Sequence, residues 1–124
     1  MSRRFVIGMF SLILLSMLVV TTLATMDRSV LKAGSELWPD RWFQATLADA
    51  YCGFVTFFLW VAWRERSWGR RVGWFLAIML LGNIAMSIYV LVRVLRMPDP
   101  FSMERLLIGD RQPSQEVTKS EPRA

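Results

Sequence analysis

Charge is confined to parts of this chain. Residues 5–26, 42–63 and 72–92 form three apolar runs that hold one charged side chain among them, Asp49, although 20% of the 124 residues are Asp, Glu, Lys or Arg. A helix needs ~20 apolar residues to cross a ~30 Å hydrocarbon layer, and each run meets that length without a proline. The pattern predicts an all-α membrane protein with three transmembrane helices, about 5–26, 42–63 and 72–92, in a single domain over 1–109. A soluble three-helix bundle would carry a polar stripe at helical spacing, and Phe5 to Val20 offers only Gly8, Ser11 and Ser16.

The tryptophans follow the same boundaries. Indole favours the water interface, where its ring is covered and its N–H solvated, and all six Trp lie at or near run ends. Trp38 and Trp42 mark one end of the second helix; Trp60, Trp63, Trp68 and Trp74 bracket its other end and the start of the third. The short connector Arg64-Glu65-Arg66-Ser67-Trp68-Gly69-Arg70-Arg71 makes helices two and three an antiparallel hairpin. Arg64, Arg66, Arg70 and Arg71, with Trp63, Trp68 and Trp74, are therefore expected to face anionic lipid headgroups. Glu65 is expected to pair with Arg64, Arg66 or Arg70 at the surface, with ordering of a tight turn or contact with a partner as its alternative role.

The first run could be a signal peptide, since Arg3 and Arg4 precede it and Thr22-Leu23-Ala24 is small. It is longer than the ~7–15 residues of a signal core, so a retained anchor is expected. Arginine counts on the two sides of a three-span topology nearly balance. The compact connector and basic leader favour a cytoplasmic N-terminus and an outward tail; the composition suits a bacterial inner membrane, with an organelle membrane as the alternative setting. Asp27 to Arg41 reads as a loop broken by Gly34 and Pro39. Asp99-Pro100 reads as a helix start and Gly109 as its stop, giving a short interfacial helix over 100–108. Residues 110–124 read as a disordered tail.

Catalytic patterns are missing. There is no His, and the one Cys, Cys52, lies in an apolar run without a base to activate it. No metal, haem or other cofactor is expected, and no enzyme activity. The pI near 10.3 is accounted for by arginines meeting headgroups, so nucleic acid is not an expected partner.

Asp49 requires a partner, because a carboxylate inside a spanning helix costs ~2.5 to 3.5 kcal/mol. Three straight helices would set Asn83 near its depth and let Arg93, one turn beyond Tyr89, lean toward it. Asp49, Asn83, Tyr89 and Arg93 are thus expected as an intramembrane polar cluster, serving as a packing clamp, a protonatable coupling site or a site used against another protein.

The motifs Asp-x-Tyr-x-Gly-Phe from Asp49, Arg-Glu-Arg-Ser-Trp from Arg64 and Leu-Gly-Asn-Ile-Ala from Leu81 resemble a family of small multi-pass integral membrane proteins classed as a domain of unknown function. The resemblance covers about residues 38 to 108, with little match in the first helix. It implies membrane insertion and no particular activity, and carries over Asp49, Tyr51, Gly53, Glu65, Arg66, Gly82, Asn83 and Tyr89. The function expected is a non-enzymatic accessory or scaffold subunit that associates with itself or a larger membrane protein. The alternative is a homo-oligomeric proton-coupled carrier or channel that uses Asp49.

Overall fold

A computed structural model describes residues 1–109, so the tail expected over 110–124 lies outside the described residues. Six helices follow in order: α1 (Arg3–Asp27), α2 (Val30–Leu37), α3 (Arg41–Arg64), α4 (Trp68–Leu81), α5 (Asn83–Arg96) and α6 (Met103–Ile108). The described residues form no strand, and α1 and α3 are long and apolar enough to cross a membrane.

Side-chain caps set the starts. Ser2, Ser29 and Asp40 each accept a hydrogen bond from the backbone N–H three residues on, satisfying a donor that the first turn leaves unpaired. The stretch expected as a loop therefore holds α2, with Gly34 inside it; Ser29 supplies the start, and the roughly 1 kcal/mol cost of one mid-helix glycine does not break so short a helix. α6 starts three residues later than expected, because the capping side chain is Ser102. Asp99 is instead drawn off by Arg3, 3.1 Å away.

The largest departure lies in the third apolar run, which is not one helix. At Gly82 the backbone takes φ 53°, ψ −125°, ending α4 and starting α5. A continuous helix would hold Trp74 and Tyr89 ~22 Å apart. Their ring centroids are 4.9 Å apart, so α5 folds back toward the connector. The bend is locked from outside by Phe54, whose ring fills the space where a side chain on residue 82 would begin. Phe54 lies ~15 Å along α3 from Arg64, which puts the apex of the α4–α5 hairpin about halfway along α3.

α1 runs antiparallel to α5: Arg3 donates to the Leu95 carbonyl, and Val6 packs with Val90 and Val94. The start of α1, the end of α3, both open ends of the hairpin and α6 thus meet at one end of the molecule, called here the connector end. Two small cores hold it together, Val6, Val90, Val94 and Leu106 in one, Val61, Ile78, Ala85 and Tyr89 in the other. The Trp60 indole donates to the Leu107 carbonyl at 3.1 Å and fastens α6 against α3. Between residues 7 and 60 no side chain is buried. Packing is confined to the connector end and to the depth that the hairpin reaches.

Candidate functional site

Glu65 is the centre of the connector end. It follows the last residue of α3, where extended backbone turns its side chain inward, and it is 3% exposed. A buried carboxylate is tolerated when its charge is paired and its lone pairs are used. Arg93 pairs with Oε1, and the Tyr89 hydroxyl donates to the same oxygen at 3.2 Å. Arg70 brings its Nε to 3.3 Å from Oε2, close enough for charge pairing though not aligned as a hydrogen bond. The Arg71 Nε donates to the Glu65 carbonyl at 2.7 Å, closing the connector turn, while its guanidinium lies over the Trp68 ring. Trp60, Trp74 and Phe57 surround Tyr89 edge-on with centroids 4.9 to 6.2 Å away, and the Arg93 guanidinium covers that ring from 5.4 Å.

The fold-back at Gly82 explains what became of the expected polar cluster. Tyr89 and Arg93 do come together, but on Glu65, since α5 carries both back to the connector. Asp49 and Asn83 stay exposed and bond neither to each other nor, among the described residues, to any other side chain. Asp49 sits ~22 Å from the end of α3, beyond the depth of the hairpin apex. Of the residues expected at headgroups, Trp63, Arg66, Trp68 and Arg70 are exposed. Trp74 turns inward onto Tyr89, and Arg64 lies against Gly109 with its Nε buried. Glu65 pairs inside the protein and not at the surface, because the connector is covered from below by the returning α5.

Between the hairpin arms and the end of α3 lies a cavity of about 540 Å³, bordered by Arg64, Glu65, Arg70, Arg93, Arg96 and Arg105. A second, of about 650 Å³, shares Arg64, Glu65 and Gly109 and adds Arg66 and Arg71. Arg96 and Arg105 gave no signal in the sequence as members of this site, since only the reversal of α5 brings them to it.

Fold and site define a small protein whose described residues are all-helical, with two helices of membrane-crossing length and an arginine-walled cavity beside one buried glutamate. The chain belongs to DUF1475, a family described as protein of unknown function, whose model matches residues 2–109 and so takes in α1. No curated protein and no solved structure matches it.

Proposed function

We propose that the protein is a non-enzymatic subunit of a bacterial inner membrane, built from two spanning helices and a helical hairpin that enters and leaves on one side, and that it joins a membrane partner through the face of α3 bearing Asp49. Insertion is supported by the exposure of the long helices, since only 6% of the most apolar window of α1, and of α3, is buried. A soluble core helix of that composition would be covered. Packing of α1 on α5 supports its retention as an anchor.

The fold-back also argues for an orientation different from the three-span expectation. The connector end carries Arg3 and Arg4, the four connector arginines, and Arg93, Arg96 and Arg105, against Arg28, Lys32 and Arg41 at the far end. Basic residues flanking spans favour the cytoplasm, so the connector end, the N-terminus and α6 are cytoplasmic, and the tail begins on that side. Green fluorescent protein fused to the C-terminus is expected to fluoresce and alkaline phosphatase fused there to be inactive; the reverse pattern restores a third crossing.

The observation that carries the partner reading is Asp49, exposed on a spanning helix with no bond or ion pair among the described residues. Lipid does not stabilise that carboxylate, and another chain can. Ala45, Asp49 and Gly53 recur every four residues on one face, and the space where a Cβ on Gly53 would sit is open, which permits close approach of a second helix. Mass photometry of particles extracted with native lipid is expected to find the chain with a second polypeptide, and Asp49→Leu to release a folded single chain. Wild-type particles holding one chain would end this reading. The carrier reading uses the same carboxylate: Asp49→Asn that keeps assembly but abolishes proton flux into liposomes would favour it.

A further inference from the structure

We propose that the arginine-walled cavity between α3, α4 and α5 is a binding site for a phosphate-bearing anion, its phosphate taken by Arg64 and Arg96. Charge is the first reason. Among the described residues Arg64, Arg70, Arg93 and Arg96 border the cavity and one carboxylate, Glu65, answers them. Glu65 is already committed to Arg93 and Arg70. Arg64 and Arg96 make no hydrogen bond or ion pair among the described residues, and the Arg64 Nε is buried without an acceptor. The guanidinium ends of Arg64 and Arg96, with no acceptor among the described residues, are therefore left to pair with an anion that enters the cavity.

Size and shape are the second reason. At about 540 Å³ the cavity falls in the range of small-ligand sites. Guanidinium forks match the several oxygens of a phosphate, and two of them approaching from different helices can share one phosphate group. The Arg93–Glu65 pair forms the floor and holds the hairpin arm that carries Arg96. Gly109 lets the Arg64 guanidinium lie flat against the chain: its φ of 87° favours glycine, and a Cβ there would fall 2.2 Å from the Arg64 Nη1. The same chemistry is offered by a lipid headgroup phosphate and by a soluble phosphate.

The test uses the full chain in an uncharged detergent, with thermal unfolding followed against added inorganic phosphate, phosphatidylglycerol or phosphatidylcholine. Saturable stabilisation by inorganic phosphate identifies a soluble ligand, and stabilisation by phosphatidylglycerol alone identifies a headgroup. Arg96 is exposed, so Arg96→Gln keeps the fold and is expected to weaken the apparent affinity roughly tenfold, the worth of one charge-assisted bond. Adding Arg64→Gln should weaken it roughly a hundredfold, while Arg28→Gln at the far end leaves it unchanged. No saturable shift with either anion, equal shifts with phosphatidylcholine, or equal losses in Arg96→Gln and Arg28→Gln would overturn the site. A lone chain that binds phosphate leaves this inference standing and removes the Asp49 partner reading.

Discussion

Gly82→Ala lowers the stability of the folded chain by about 3 kcal/mol, from a backbone strain of about 1 to 3 kcal/mol and an overpacking cost of similar size. Two separate causes act at this residue. Its φ of 53° lies where side chains are disfavoured, and an added Cβ would fall 2.6 Å from the Phe54 Cζ. Reversible unfolding in mixed micelles measures the loss. A double-mutant cycle with Phe54→Leu separates the causes: the smaller side chain relieves the clash and leaves the backbone strain, so the two changes should couple by about 1 kcal/mol. Full additivity would mean that Phe54 does not brace the bend. An unchanged unfolding midpoint in Gly82→Ala would mean that residues 72–92 form the continuous helix that their composition suggests.

Glu65→Ala is expected to cost about 1.5 to 3 kcal/mol, less than for a fully buried ion pair because Arg93 and Arg70 keep 30% and 64% of their side chains exposed. The magnitude follows from what stays behind, because Arg93 and Arg70 would then face each other across a cavity with no carboxylate. Asp99→Ala is the contrast, breaking an ion pair to Arg3 whose carboxylate is 83% exposed, and should cost about 0 to 1 kcal/mol. Glu65→Arg combined with Arg93→Glu should recover part of the loss, since the exchange restores one opposite-charge contact at the same place. Equal destabilisation by Glu65→Ala and Asp99→Ala in the same micelles would show that Glu65 is not a buried keystone.

Helix content and the two long helices were legible because exclusion of charge over twenty residues leaves few alternatives. The reversal at Gly82 was not, since Leu80, Leu81, Ile84 and Ala85 keep the run apolar on both sides of the turn. A hydropathy pattern is blind to a bend between two apolar helices. The available signal was the Gly82-Asn83 pair, a turn dipeptide set inside a helical run. Missing it displaced the site as well. With α5 drawn straight, Arg93 stood far from the connector and leaned toward Asp49, and Glu65 had only its exposed neighbours to pair with. Tyr89 and Arg93 read in sequence as polar residues that need partners, and topology, which side-chain chemistry does not encode, sets Glu65 as the partner. Caps behaved likewise: Ser102 and Asp99 are both competent to start α6, and the choice depends on Arg3, ninety-six residues from Asp99 in sequence.

The halfway reach of the hairpin gives the molecule a tapered outline. In the proposed membrane orientation, four helices occupy the leaflet at the connector end and only α1 and α3 continue through the other. Two additional cross-sections, each about 10 Å wide, displace lipid on one side alone. In that orientation a single chain would act as a wedge, relaxed in a bilayer that bows toward its broad end, and copies side by side would add their bending.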